Sequence, residues 1–107
     1  MPFYLVQASY SPQATSAMVK NPQDRAAAVR PIIERMGGKL QGMWLAFGEF
    51  DIVAIAEMPD NVTAAAFAMA ISSSGGMSAY RTTPLISMSD ATAAMKKAGG
   101  VGYQPPK

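Results

Sequence analysis

The order of apolar and polar residues predicts four β-strands, and no strand has a wholly polar face. The third, Asp51–Met58, is apolar apart from Asp51 itself and Glu57, and it ends at Pro59, as is typical of a central strand. The other strands are predicted at Phe3–Tyr10, Lys39–Phe47 and Ser78–Met88. Because Pro84 cannot donate a ladder hydrogen bond, we expect the fourth strand to be broken there or to lie at an edge of the sheet.

Helical periodicity and capping residues predict helices between these strands. Asn21 and Pro22 are typical of an N-cap and a first helical residue, so a helix is expected from there to Gly37-Gly38. Pro31 inside it is expected to cause a kink while pointing towards solvent. A second helix, from Val62 to about Ser73, is apolar on nearly every side and is expected to be buried on more than one side. Shorter helical segments are predicted at Thr15–Lys20 and Ala91–Ala98.

The resulting order, βαββαβ, is that of a ferredoxin-like α+β subunit, an antiparallel sheet with helices on one face. Residues 1–100 are expected to form this single domain, and residues 101–107 a tail rich in Gly and Pro. The other face of such a sheet is left bare. Since that face is not polar here, we expect a second subunit to cover it, which gives a dimeric α/β barrel.

Composition supports self-association and excludes several kinds of chemistry. Half of the 107 residues are apolar, 50%, which is more than so small a core can bury. The chain has no Cys and no His, so disulfides, thiol nucleophiles, Ser-His triads and the usual zinc ligands are excluded, and we expect neither a metal nor a cofactor. The basic residues are scattered and the net charge is +2, so nucleic acid is not an expected partner. No segment has the pattern of a signal peptide or of a membrane span. We therefore expect no membrane partner, and we expect a cytoplasmic location.

Three short stretches carry a resemblance to a known family. Gly48-Glu49-Phe50-Asp51, together with Gly37-Gly38 and Arg81-Thr82-Thr83, resembles the GYD domain family of small bacterial proteins. The resemblance extends from Phe3 to about Ile86 and implies a dimeric α/β barrel. The usual Gly-x-Tyr-Asp of that family has Phe50 in place of the tyrosine, so any role that needs a phenol hydroxyl is lost at that position.

Three charged residues are candidates for a functional site. Asp51 begins the central strand beside a glycine turn, where it can bond to local backbone or act as a base at the rim of a cleft. Glu57 in an apolar strand either reaches water at the strand end, pairs with a cation such as Arg81, or stays neutral with a raised pKa. Arg81 has a planar guanidinium that suits both an ion pair with a carboxylate and a clamp on an anionic ligand.

Aromatic residues at strand spacing are the other candidates. Tyr10, Trp44 and Phe50 are able to line a ligand pocket, although residues of this type are more often part of the core. The first functional hypothesis is an oligomeric module that binds a small apolar or anionic metabolite in the barrel interior or at the subunit interface. The alternative is a cofactor-independent enzyme, similar to the monooxygenases and isomerases on dimeric α/β barrels, with Asp51 or Glu57 as base and Arg81 as anion stabiliser. The third hypothesis is a purely structural or regulatory assembly unit.

Overall fold

The computed structural model describes residues 1–107 and contains one four-stranded antiparallel sheet. Its strands are β1 (Phe3–Tyr10), β2 (Lys39–Leu45), β3 (Ile52–Glu57) and β4 (Met77–Leu85). They lie side by side in the order β2-β3-β1-β4, so β3 is central and β4 is an edge strand. The predicted α+β class, the ferredoxin-like arrangement, the central third strand and the edge position of the fourth are all confirmed.

Four helices accompany the sheet: α1 (Pro12–Lys20), α2 (Arg25–Arg35), α3 (Asn61–Ser73) and α4 (Met88–Gly99). Pro31 lies inside α2 and is exposed, as predicted. A segment that is both long enough and apolar enough to cross a bilayer is not found among these helices.

The predicted start of the long helix was wrong by one short turn. Asp24, not Asn21, caps α2: its Oδ1 accepts the backbone N–H groups of Ala26 at 2.9 Å and Ala27 at 3.3 Å. Asn21 instead ends α1, because its N–H donates to the carbonyl of Ala17 at 2.9 Å. The segment before α2 is the helix α1, which begins three residues before the short helical segment predicted at Thr15–Lys20.

The core lies between the sheet and helices α2 and α3. Alternate residues of the strands point to this side, since Tyr4 pairs with Ala56 and Val6 with Ala54 across β1 and β3. The alanines allow the helices to approach the sheet closely. The buried residues of the core cluster are Tyr4, Ile33, Leu40, Ala54, Ala56, Met58, Ala64 and Phe67.

Helix α3 is buried on one side only, so the prediction of burial on several sides was wrong for the single chain. Ala64 and Phe67 are buried, whereas Val62 is 79% and Met69 is 71% exposed. The reason is that a single sheet offers α3 one apolar surface. Helix α4 buries no residue at all, and the longest dimension of the molecule is 58 Å.

The second face of the sheet carries the strand residues that alternate with the core. We call it the open face, and it includes Phe3, Leu5, Gln7, Trp44, Val53, Ile55, Arg81, Thr83 and Leu85. Leu5 and Ile55 are neighbours at its centre and are only half-buried. Trp44 is 57% exposed and its ring lies against Gly42, where any larger residue would collide with the indole.

Candidate functional site

A cleft of about 590 Å³ opens at one end of the sheet, on the side covered by helices. It lies between α1 and the beginning of α2 on one side and the ends of β2 and β3 on the other. We call this space the cleft. Its apolar lining includes Met18, Val19, Met43, Leu45, Phe47 and Ile52, and its polar lining includes Tyr10, Gln23, Arg25 and Asp51.

Ser11 fixes the start of α1, the helix that forms one wall of the cleft. Its Oγ accepts the N–H of Ala14 at 3.2 Å and caps the helix, while its own N–H donates to the carbonyl of Gly76 at 2.8 Å. Ser11 is buried, so its bonds to Ala14 and to Gly76 hold the connection between β1 and α1 in place. This connection sets α1 beside the end of the sheet.

Asp51 bonds to the backbone of β1, which is distant in the sequence, and not to the local backbone of its own turn. Its Oδ2 accepts the N–H of Tyr10 at 3.0 Å, and its N–H donates to the carbonyl of Ala8 at 2.9 Å. The register of β1 against β4 shifts between Ser9 and Tyr10, so the carboxylate satisfies a backbone donor beside that irregularity.

Arg25 is the functional candidate that sequence reasoning missed. Its Nη1 donates to the side-chain oxygen of Gln23 at 2.8 Å. Burial raises the pKa of Tyr10, and the guanidinium of Arg25 beside the phenol opposes this shift. Arg25 occupies the first turn of α2, where the helix dipole disfavours a cation. A basic residue in that position was the available signal in the sequence.

The remaining candidates lie in two other places. Trp44 borders the cleft, but its ring is on the open face. Arg81 and Phe50 contact each other, with the guanidinium carbon 5.3 Å from the ring centroid, a cation–π contact. Glu57 accepts a hydrogen bond from the Nε2 of Gln41 at the far end of β3.

The structure therefore brings Tyr10, Trp44 and Asp51 to the cleft and separates them from Glu57. Asp51 and Glu57 are at opposite ends of one extended strand, about 20 Å apart at the usual rise per residue. Arg81 lies on the edge strand β4, where it pairs with Gln7 of β1 and contacts the ring of Phe50. Neither carboxylate has Arg81 as its hydrogen-bond partner, because Asp51 binds Tyr10 and Glu57 binds Gln41.

A second, smaller cavity of about 60 Å³ lies inside the core. We call it the interior cavity, and its lining includes Tyr4, Val6, Ile33, Phe67, Tyr80 and Thr82. The hydroxyl of Tyr4 donates to Oδ1 of Asn61 at 2.6 Å, whereas those of Tyr80 and Thr82 are buried with no hydrogen-bond partner. Burial raises the pKa of Tyr80 to about 12, and the neighbouring Thr82 hydroxyl opposes this shift.

Comparison with known families decides the classification of this fold. The family model of the GYD domain matches residues 4–95, which is most of the chain. The chain belongs to the GYD domain family. No curated protein and no solved structure matches it. In this GYD domain the segment from Gly48 to Asp51 joins β2 to β3, and its last two residues contact Arg81 on the open face and Tyr10 at the cleft.

Tyr80 predicts a loss of stability in alkali. Because its pKa is about 12 in the folded chain and 10.0 ordinarily, its stabilising contribution is complete below pH 10 and is lost as the pH rises towards 12. We expect Tyr80→Phe to gain stability relative to the wild type as the pH is raised from about 9 to 11, measured by urea unfolding. Tyr103→Phe, at an exposed position in the tail, should follow the wild type. If the free energy of unfolding fell with pH in the same way for all three proteins, Tyr80 would not be the cause of the loss in alkali.

Proposed function

We propose that this GYD domain binds a small molecule with an apolar body and an anionic group, and that the cleft is the binding site. The observation that carries the proposal is the cleft itself, because its volume of about 590 Å³ is within the usual range for small-molecule sites. Mostly apolar walls with a few polar groups are typical of such sites.

The preference for an anion follows from which polar groups are already occupied. Asp24 accepts two backbone N–H groups at the start of α2, and Asp51 accepts the N–H of Tyr10. Arg25 donates to Gln23 and lies beside the Tyr10 phenol, and no carboxylate is bonded to its guanidinium. Arginine binds carboxylates and similar anions through paired N–H groups, and Arg25 is therefore the natural anchor.

The protein is further proposed to act as a dimer in which the open faces of two copies pack together. Leu5, Val53 and Ile55 at the centre of this face are apolar and incompletely buried by their own chain. The radius of gyration is 17.2 Å, compared with about 13 Å for a compact domain of this size, because α4 is not packed on the body. Both features favour a second copy as the partner. The cleft lies mainly on the opposite side of the sheet, and Trp44 is the residue that it shares with the open face.

Two fluorescent dyes that differ in charge test the cleft. The probe 1-anilinonaphthalene-8-sulfonate has an aromatic body and a sulfonate, and N-phenyl-1-naphthylamine is its uncharged counterpart. We expect Arg25→Gln to weaken binding of the sulfonate by about 10- to 100-fold, which is the usual loss for a charged hydrogen bond. Binding of the uncharged dye should change little, because the apolar walls are intact.

Arg35→Gln is the matched control, since it removes the same charge from the exposed last turn of the same helix. It should leave the affinity for both dyes unchanged. An equal loss of sulfonate binding in Arg25→Gln and Arg35→Gln would mean that general charge, not the cleft, attracts the anion. No loss in either variant would contradict the proposed anchor.

A further inference from the structure

The interior cavity has two polar atoms that its surroundings do not explain. The hydroxyl oxygens of Tyr80 and Thr82 are buried without a partner, although a buried unsatisfied hydroxyl costs about 1 to 3 kcal/mol. The two residues alternate on β4 and so point to the same side, opposite Ala8 and Val6 of β1. Phenylalanine and valine would fit the same shapes without this cost. Two adjacent orphan hydroxyls therefore indicate an absent partner that bonds to both.

The interior cavity and the cleft are neighbours. Met43 and Ile52 line both spaces, so these two side chains form part of the wall between them. Methionine is the most adaptable apolar side chain, and its rotation is able to join the two spaces. Tyr10 borders the cleft two residues along β1 from Ala8, which pairs with Tyr80. At the usual rise per residue, the two sets of polar groups are about 7 to 13 Å apart.

Water alone is a poor explanation of the orphan hydroxyls. A cavity of about 60 Å³ has room for a few water molecules. A buried water usually makes about three hydrogen bonds, and here the waters would share two side-chain hydroxyls in otherwise apolar walls. A charged group is disfavoured in the same walls. An uncharged oxygen attached to an apolar chain would bond to both hydroxyls and would bring no charge into the apolar walls.

We infer that the interior cavity is the deep end of the ligand site and receives an uncharged oxygen, a hydroxyl or a carbonyl, at the end of the ligand remote from its anionic group. This inference rests on the proposed function, because Arg25 in the cleft holds the anion. It narrows the ligand class to a medium-length apolar acid with an oxygen at its far end. The Tyr80 and Thr82 hydroxyls are both donors and acceptors, so they suit either oxygen.

The test compares octanoate with 8-hydroxyoctanoate by isothermal titration calorimetry of the full chain. In an ordinary apolar site the added hydroxyl weakens binding, because it loses its water without gaining a partner. Here we expect 8-hydroxyoctanoate to bind about five-fold more tightly than octanoate, as one or two new neutral hydrogen bonds allow. In the Tyr80→Phe/Thr82→Val double variant this preference should reverse. Thr82→Val alone, which keeps the side-chain shape, should reduce it if the double variant does not fold.

Arg25→Gln separates this inference from the proposed function. It should weaken both acids by the same factor and leave the preference for the hydroxyl intact. If the wild type binds both acids but prefers octanoate, the interior cavity is dry or holds only water, and the inference is overturned while the cleft proposal stands. If the wild type binds neither acid, the proposed function fails and the inference fails with it.

Discussion

Ile55→Asp is expected to convert the proposed dimer into a folded monomer. Ile55 lies at the centre of the open face, between Leu5 of β1 and Gly42 of β2. A two-fold interface places the substituted residue in both subunits, so two carboxylates would have to be buried in its apolar centre. We expect a loss of about 3 kcal/mol or more of association free energy, which is more than about 100-fold in the dissociation constant. Sedimentation velocity at micromolar concentration measures the change.

Val62→Asp is the control for this experiment. Val62 is also a branched apolar residue, 79% exposed, but it lies on α3, on the other side of the sheet. Its acidic replacement in the first turn of a helix is compatible with the helix dipole, so the dimer should persist. Emission of Trp44, the only tryptophan, should shift to the red in the Ile55 variant alone, since its exposed indole is on the open face. A wild type that sediments as a folded monomer would contradict the proposed assembly.

Gly38→Ala is expected to lower the free energy of unfolding by about 3 kcal/mol, which is large for one methyl group. A Cβ at this position would collide with the backbone carbonyl oxygen of Glu57 and lie 2.6 Å from the Met58 sulfur. The carbonyl belongs to the central strand and has no room to move. The melting temperature should fall by about 10 °C or more, as followed by circular dichroism.

Gly48→Ala gives the comparison for Gly38, because a Cβ at Gly48 meets no atom within 4 Å and its φ is not positive. Its effect should be within about 0.5 kcal/mol. A similar small effect at Gly38 would mean that the end of α2 packs less closely on β3 than the structure describes. Although both glycines belong to the stretches that resemble the family, only Gly38 is required by packing.

The strands were predictable because their signal is local. Each apolar run has a length and flanking residues typical of a strand, and Pro84 limited the fourth strand to a break or an edge position, of which the edge is found. The start of α2 was not predictable in this way, because Asn21 and Asp24 are both good N-caps. The choice between them depends on whether α1 forms and uses Asn21 as its last residue. That in turn depends on Ser11, whose N–H binds Gly76, a contact between residues far apart in the chain.

The candidate site was predictable only in part for the same reason. Tyr10, Trp44 and Asp51 were named from residue type, and the structure places all three at the cleft. Arg25 was missed, because its significance depends on the acids around it being occupied by backbone donors. The hydroxyls of Tyr80 and Thr82 look ordinary in the sequence of an edge strand. Only the packed core reveals that they have no partner.

Native mass spectrometry of the protein isolated gently from its own cells tests whether the cleft holds a small anionic molecule. We expect the wild type and Arg35→Gln to release one small acidic molecule per subunit on activation, and Arg25→Gln to carry little or none. Wild-type protein without any bound small molecule, or an Arg25→Gln variant that retains it fully, would contradict the proposed binding site.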